Sequence, residues 1–264
     1  MKPAPSRIGR LAGVALALAA GPALAQEETT WASLKTQILG DRATEDGAGL
    51  VELVAPKRAE DAAIVPVEVR IRAPEGDGRR VKAVTLVVDE NPAPVAATFR
   101  LGEGARSFDL STRLRVNSYS FVRAIAETGD GRLYMTKAYV KAAGGCSAPA
   151  TKDPVEAKAN LGQMRFRAFA AVGRPEAQVQ IRHPNYSGLQ MDQVTRHYTP
   201  AWFVETVTVR QGDRPLWSME GGISISEDPT FRFSYRLTGE AVTVEAKDTE
   251  GQVFRQSFAG GSAC

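Results

Sequence analysis

The sequence contains few of the residue types from which metal sites and disulfide frameworks are built. Its 264 residues include only two histidines, His183 and His197, and two cysteines, Cys146 and Cys264. Because there is no Cys-x-x-Cys pair and no His-rich stretch, we expect no metal site, and we expect both histidines to be structural or on the surface. No serine lies in a recognisable base-and-oxyanion pattern, which argues against a hydrolase.

The sequence also lacks an apolar run long enough to span a bilayer. Residues 1–25 begin with a basic stretch and continue with 15 mostly apolar residues that end in Ala23-Leu24-Ala25. A spanning helix needs roughly 20 apolar residues, whereas this pattern is typical of a cleaved secretory signal peptide. We therefore predict export, with Gln26 as the first mature residue and no membrane anchor after cleavage.

A basic tract that would bind nucleic acid is absent as well. The leader holds three of the 33 basic residues and none of the 30 acidic ones, so the mature chain carries 30 of each and has no formal net charge. No lysine- or arginine-rich tract remains after the leader. The charge pattern therefore excludes nucleic acid as an expected partner.

What is present is a long series of β-strand patterns. Residues 29–42 have apolar spacing typical of one short amphipathic helix, with Thr30 as N-cap and Gly40 as stop. From residue 63 onward the apolar period is two, and turn signals recur between short segments, which indicates antiparallel β-sandwiches. The predicted fold class is all-β, with two sandwich domains and one short N-terminal helix.

Within this series, residues 113–127 and 222–226 are each predicted to be strands. The acidic pairs Asp89-Glu90 and Glu227-Asp228 precede turn residues, and we interpret them as turn chemistry. The three tryptophans are expected in a core or an interface. The predicted organisation is a signal peptide, a first domain, a linking segment and a second domain, at 1–25, 26–143, 144–160 and 161–264.

The linking segment 144–160, which we call the carrier segment, holds one of the two cysteines. Cys146 follows Gly144 and Gly145, and small residues come after it. Glycines lift most backbone restrictions, and the segment has little apolar surface to bury, so we expect it to be mobile. An extended chain covers about 3.3–3.6 Å per residue, so the thiol could reach roughly 15–20 Å from the domain surface. This pattern favours a carrier arm that bears cargo on Cys146.

A disulfide between Cys146 and Cys264 is the alternative that these residues leave open. Export places both thiols in an oxidising compartment, and the last residues, "GGSAC", also place a cysteine after glycines. A bridge that closes a loop of this length would stabilise the chain by roughly 4–5 kcal/mol in the chain-entropy model.

Several stretches resemble a known family. The β-domain that ends in "VKAAGGC" is similar to SoxY, the sulfur-carrying subunit of the periplasmic Sox thiosulfate-oxidation system, whose arm ends in a Gly-Gly-Cys-Gly pattern. The second domain resembles SoxZ in "IRHPNYSGLQMD" (181–192), "GISISEDPTFRFSY" (222–235) and "VEAKDTEGQVF" (244–254). "VDENPAP" (88–94) and "GGCSAPA" (144–150) resemble the fused, quinoprotein dehydrogenase-associated SoxYZ-like carriers.

The resemblance implies two immunoglobulin-like sandwiches without a bound metal or organic cofactor, located in the periplasm. It implies Cys146 as the covalent attachment point, with Gly144 and Gly145 giving the arm its flexibility. Three features differ from the family pattern. The arm is internal rather than terminal, Ser147 replaces the glycine after the cysteine, and Cys264 has no counterpart and is a candidate resolving or disulfide cysteine.

Two functions follow from the resemblance. The first is a non-catalytic periplasmic carrier that holds an oxidised sulfur compound on Cys146 and presents it to partner enzymes such as Sox-type haem enzymes. The second is an accessory module of a periplasmic quinoprotein dehydrogenase system, in which Cys146 is structural.

Overall fold

The computed structural model describes residues 23–151, 154–169, 175–192, 195–236 and 238–260. The predicted signal peptide up to residue 22, and Cys264, lie outside the described residues. The described residues form two helices, α1 (Ala23–Leu39) and α2 (Pro154–Ala159). No helix within the described ranges is both long and apolar enough to cross a membrane.

The rest of the architecture is β-structure. The strands of the first half are β1 (Thr44–Asp46), β2 (Val51–Val54), β3 (Val65–Arg72), β4 (Val81–Val88), β5 (Val95–Ala105), β6 (Ser107–Leu114), β7 (Ser120–Thr128) and β8 (Leu133–Val140). Those of the second half are β9 (Met164–Phe169), β10 (Glu176–Ile181), β11 (Val204–Gln211), β12 (Arg214–Gly221), β13 (Thr230–Ser234), β14 (Val242–Asp248) and β15 (Val253–Phe258). The all-β fold class predicted from the sequence is confirmed.

The two halves share both sheets of the sandwich. Within the part of the chain that the structure describes, one sheet has nine strands in the order β1-β8-β7-β4-β5-β12-β11-β14-β15, and the other has six in the order β2-β3-β6-β13-β10-β9. The halves join where β5 pairs with β12 and where β6 pairs with β13, both antiparallel. The domain boundaries stay a prediction, but hydrogen-bonded ladders run across the predicted division.

A main apolar core that spans both halves follows from this pairing, and a smaller cluster of Trp31, Val87, Ile125 and Leu133 lies beside it. Alternate residues of the strands face inward, as the period of two requires, and the main buried cluster contains residues from both halves. Phe99 of β5 contacts Trp217 of β12 and Phe231 of β13, with 6.0 Å between ring centroids in each pair. All three tryptophans are buried, as predicted.

The helix and strand predictions need four corrections. Helix α1 ends at Leu39, and Gly40 adopts a φ of +62° beyond it, as the stop signal predicted, but the helix starts at Ala23 rather than near residue 29. Residues 113–127 are not one strand, because β6 ends at Leu114 and β7 begins at Ser120. Residues 222–226 form turns and a single bridge, between Ile225 and Leu114, rather than a strand. Helix α2 lies in the segment that was predicted to be a linker.

Candidate functional site

The start of the carrier segment, residues 144–151, is packed into a binding site at one end of the sandwich, which we call the seat. The residues that form the seat are Ala62, Arg115, Val116, Asn117, Ser187, Gln190 and Glu227. Cys146 is 0% exposed, and Gly145 is buried beside it. A Cβ atom on Gly145 would lie 2.0 Å from the carbonyl oxygen of Ala62, so only glycine permits this approach. The extended, exposed arm predicted from the sequence is therefore not the conformation in the structure. Small residues here allow the backbone to pack closely instead of leaving it free.

The first half of the chain supplies one wall of this seat. Backbone carbonyl groups in the loop after β6 accept hydrogen bonds from the segment. Gly144 N–H donates to the carbonyl of Asn117 (2.8 Å), and Gly145 N–H donates to the carbonyl of Val116 (3.0 Å). Arg115 donates from Nη1 to the carbonyl of Gly145 at 3.2 Å. Gly144 itself has a φ of +80°, a conformation that glycine adopts without strain.

The second half supplies the other wall. The Ser187 hydroxyl donates to the carbonyl of Cys146, and Gln190 Nε2 donates to the carbonyl of Ala148 at 2.8 Å. Glu227 accepts from the backbone and the hydroxyl of Thr151 at 3.0 and 2.8 Å. Ser187, Gln190 and Glu227 are themselves buried. The seat thus requires both halves, and the segment that links them lies between them.

Arg115 places a buried positive charge beside the thiol. Its side chain bridges the halves, because Nη2 also donates to the carbonyl of Asn185 at 3.3 Å. Arg115 is 1% exposed, and its Nε has no hydrogen-bond partner among the described residues. Burial lowers the pKa of Arg115, and the nearby acidic groups and thiol oppose that shift. The guanidinium is thus held mainly by backbone carbonyls, which leave part of its donor capacity unused.

The Cys146 thiol is unreactive in this position. Burial raises its pKa to about 11, and the Arg115 guanidinium only partly opposes the shift. The thiolate is the nucleophilic form of cysteine, so a seated Cys146 holds almost none of it at neutral pH. Lys141 and Lys152 are the lysines nearest to Cys146 in the sequence, but Lys141 is exposed, and Lys152 lies outside the described residues. The cation next to the thiol is Arg115.

Buried polar groups fix the loops behind the seat. Asn91 donates to the Arg115 carbonyl (2.8 Å) and to Ser224 Oγ (2.9 Å), and its Oδ1 accepts from Asn117 N–H (2.8 Å). Two residues earlier, Asp89 forms a fully buried ion pair with Arg123, with 2.6 Å between Oδ2 and Nη2. Asp89 is therefore more than turn chemistry, because its carboxylate is closed into the interior.

The second acidic pair is corrected in the same way. Glu227 holds the carrier segment, and Asp228 pairs with Arg182 and accepts from the backbone N–H of His183. Both carboxylates are buried, although Asp228 still marks a turn with a φ of +47°. The sequence signal was correct for the backbone but did not show the partners of these side chains.

The histidines take the structural and surface positions expected of them. His183 is buried, with its ring 4.9 Å from that of Trp202 and its Nε2 3.5 Å from Asp248 Oδ2. Burial lowers its pKa, with Asp248 opposing, so the ring is neutral at neutral pH. His197 is exposed. In the described part of the chain, no three His, Cys, Asp or Glu side chains are grouped to hold a metal ion.

Sequence reasoning found the cysteine but missed most of its surroundings. Cys146, Gly144 and Gly145 were singled out, and the structure brings them together with Arg115, Asn91, Ser187, Gln190 and Glu227. The weak signals that existed were the two SoxZ-like stretches, since residues 181–192 contain Ser187 and Gln190, and 222–235 contain Glu227. Cys264, the other candidate, lies outside the described residues.

Family models match both halves of the chain. Residues 35–146 match the model described as sulfur oxidation protein SoxY, and residues 164–259 match the model described as sulphur oxidation protein SoxZ. The first match ends at Cys146. No curated protein gives a significant match.

Two solved structures are similar in part. One is the sulfur carrier protein SoxY from Chlorobium limicola f thiosulfatophilum, at 22% identity and a TM-score of 0.37, over 45% of this chain and 96% of that one. The other is a β-glucuronidase from Parabacteroides merdae, at 9% identity and a TM-score of 0.24, over 80% of this chain and 24% of that one.

Proposed function

Because the chain belongs to the fused SoxYZ-like sulfur carriers, with a SoxY and a SoxZ domain in tandem, we propose that it carries an oxidised sulfur compound covalently on Cys146 in the periplasm. The observation that carries the proposal is the seat itself. The family match to SoxY ends at Cys146, and the segment around that residue is held by a set of contacts from both halves. The predicted signal peptide supports export, and the family resemblance supports the periplasm as the destination.

The seated conformation is the stored state of the empty carrier. A thiol with a pKa of about 11 and no exposure cannot react with an incoming sulfur compound, so loading requires the segment to leave its seat. Two backbone hydrogen bonds fix Lys141. Its N–H donates to the carbonyl of Lys57 (3.0 Å), and its carbonyl accepts from the N–H of Ala59 (3.1 Å). Between Lys141 and α2 the chain is a loop tethered at both ends. If residues 142–146 were extended, the thiol would reach about 15–18 Å from Lys141.

Loading is an oxidation at sulfur. With thiosulfate as cargo, the released Cys146 thiol loses its proton, and a sulfur–sulfur bond forms between Sγ and the terminal sulfur of thiosulfate. Two electrons leave in this step, and a partner haem enzyme of the Sox type, which the family resemblance implies, takes them. The carrier itself supplies a nucleophile and a position, and we expect no turnover from it alone.

Cys264 stays a candidate resolving or disulfide cysteine, and it lies outside the described residues. Because the seated Cys146 is 0% exposed, a resolving role for Cys264 would act on the released segment.

The burial of Cys146 also favours a second candidate function. If the segment never leaves its seat, Cys146 is a structural residue, and the chain is an accessory module that offers its surfaces to a quinoprotein dehydrogenase system. Under this alternative, Cys146→Ser folds normally and keeps its function. Under the carrier proposal the same variant folds normally and loses function, because a hydroxyl cannot form a persulfide or a thiosulfonate.

Tetrathionate separates the two candidates without any partner protein. A thiolate attacks one of its central sulfur atoms, forms a disulfide bond that carries a sulfonate, and releases thiosulfate, so no further oxidant is needed. The reduced, folded protein is incubated with tetrathionate, and trypsin then releases peptide 142–152, which contains Cys146 as its only cysteine. The carrier proposal predicts an adduct on this peptide in wild type and in Cys264→Ser. An unmodified peptide from folded protein, with full modification after denaturation, would favour the accessory module.

A further inference from the structure

A second concave site lies at the end of the sandwich away from the cysteine. It is a groove of about 800 Å³ whose lining includes Arg80, Arg106, Arg214 and Arg236, and we call it the arginine groove. Strand β6 leads from this groove, at Ser107, to the seat of the carrier segment, just beyond Leu114. Eight residues of extended strand cover roughly 25 Å, so the two sites occupy opposite ends of the sandwich.

Four separate stretches of the chain each bring one arginine into the groove. Arg80 precedes β4, Arg106 lies between β5 and β6, Arg214 begins β12, and Arg236 follows β13. The groove therefore spans both strand pairs that join the halves, β5 with β12 and β6 with β13. Close packing shapes its floor, because a Cβ atom on Gly102 would lie 1.9 Å from the carbonyl oxygen of Pro215.

The positive charges of the groove are only weakly compensated. Glu103 is the one acidic residue among the described residues of the lining, and its Oε2 lies 3.6 Å from Arg214 Nε. Arg106 donates to a backbone carbonyl, that of Pro74 (3.0 Å). Arg80 and Arg236 are exposed, and neither forms an ion pair with any residue that the structure describes. In a mature chain with balanced charges, such a concentration of like charge is mutually repulsive unless an anion joins it.

We propose that the arginine groove docks an extended acidic segment of a partner protein. The size of the groove favours a polypeptide over a single inorganic anion, and three of its four arginines, Arg80, Arg214 and Arg236, are exposed instead of being enclosed at one buried point. The lining also includes the apolar residues Leu101, Phe108 and Leu216, which can contact the aliphatic part of a peptide. Arginine side chains are well suited to bind carboxylates in two-point contacts.

Docking at this end leaves the other end of the molecule free. A partner held in the arginine groove would not cover Cys146, which lies at the far end of β6, so recruitment and cargo exchange could proceed at separate surfaces. This proposal does not depend on whether Cys146 carries cargo, because the groove contains neither the cysteine nor any residue that holds the carrier segment.

The test uses the full-length mature protein and a fluorescein-labelled peptide of twelve alternating aspartate and glutamate residues. Fluorescence anisotropy measures its binding at constant ionic strength, against a neutral peptide of asparagine and glutamine with the same length. The variant Arg80→Gln/Arg236→Gln removes two exposed charges that form no ion pair with a described residue. The matched control, Arg58→Gln/Arg167→Gln, removes two exposed charges elsewhere. Amide hydrogen exchange then locates the bound peptide.

The proposal predicts that the groove variant binds the acidic peptide about tenfold more weakly, while the control variant and Cys146→Ser bind like wild type. The peptide should slow exchange at residues 101–108 and 214–216 and leave the seat of Cys146 unchanged. Equal binding by both double variants, or no preference over the neutral peptide, would overturn it. Displacement of the peptide by submillimolar thiosulfate at fixed ionic strength would instead identify a small-anion site and would also overturn it.

Discussion

The two ends of the sandwich differ in how far their arginine side chains are buried. At the cysteine end, Arg115 is enclosed by backbone carbonyls, and the thiol beside it is protonated and inaccessible. At the other end, Arg80 and Arg236 are open to water and without ion pairs among the described residues. Under the two proposals above, one end stores a reactive group until it is needed, whereas the other end binds a partner. The following predictions test that contrast, from the largest expected effect to the smallest.

The buried ion pair behind the seat should give the largest effect on stability. In Arg123→Met, the Asp89 carboxylate keeps its burial but loses its cation, and such a change typically destabilises a protein by about 3–5 kcal/mol. Urea denaturation of the reduced protein measures this loss. As a control, Arg100→Met removes the arginine of an exposed pair with Glu220 and should change stability by less than about 1 kcal/mol. Equal effects of the two substitutions would contradict the account.

Gly145→Ala should expel the carrier segment from its seat. The new methyl group would meet the backbone of Ala62 and Val116, which cannot rotate away as a side chain could. We expect the alkylation rate of Cys146 at pH 8 to rise by about a hundredfold as the thiol becomes exposed and its pKa returns towards its ordinary value. Peptide mass spectrometry of iodoacetamide-treated protein measures the rate.

Gly131→Ala is the matched control for this experiment. Gly131 has a φ of +87° but open space around its Cβ position, so the substitution introduces backbone strain of about 1 kcal/mol without a clash at the seat. It should lower the melting temperature slightly and leave the alkylation of Cys146 unchanged. If Gly145→Ala behaved like this control, the seat would be looser than its packing implies.

The seated thiol should also make stability depend on pH in the alkaline range. The pKa of Cys146 is about 11 in the folded state and near 9 in the unfolded state, so the folded protein holds its proton more tightly. The resulting stabilisation is fully present below about pH 9 and is lost as the pH rises towards 11, by about 2–3 kcal/mol in total. Comparing wild type with Cys146→Ser by urea denaturation at pH 8, 9 and 10 isolates this contribution. Parallel curves for the two proteins would contradict it.

Removal of one arginine from each end should give the smallest effects and the most direct contrast. Arg115→Gln leaves backbone carbonyls of Gly145 and Asn185 without their donor and should destabilise the protein by about 1–3 kcal/mol. Arg236→Gln removes an exposed charge and should change stability by no more than about 0.5 kcal/mol. Thermal unfolding at equal protein concentration compares them. A larger loss of stability in Arg236→Gln than in Arg115→Gln would contradict the conclusion that the arginine at the cysteine end is the structural one.

The sequence was informative where periodicity carries the signal and uninformative where contacts are distant in the chain. The strand pattern predicted the all-β fold, and Gly40 marked the helix end, because both depend on neighbouring residues. The composition of the carrier segment suggested mobility, yet its glycines allow close backbone packing against Ala62 and Val116. Composition alone cannot distinguish these two uses of glycine.

The partners of Cys146 could not have been predicted from local patterns. Arg115 occurs in the alternating stretch "RLRV", where an arginine reads as a solvent-facing residue, but β6 ends just before it and the chain turns inward. Ser187 and Glu227 reach the segment from 41 and 76 residues away. Those contacts exist because β6 pairs with β13 across the two halves, a pairing that no local pattern specifies.

The most direct test of the central claim is the mass of peptide 142–152 from protein exported by cells that are oxidising thiosulfate. Free thiols are alkylated on harvest, and half of each sample is reduced first. The account predicts that part of the peptide carries one or more additional sulfur atoms, or a sulfonate-terminated chain, on Cys146, and that reduction removes them. A peptide that is always unmodified at Cys146, or always bridged to Cys264, would contradict the claim that this cysteine carries cargo.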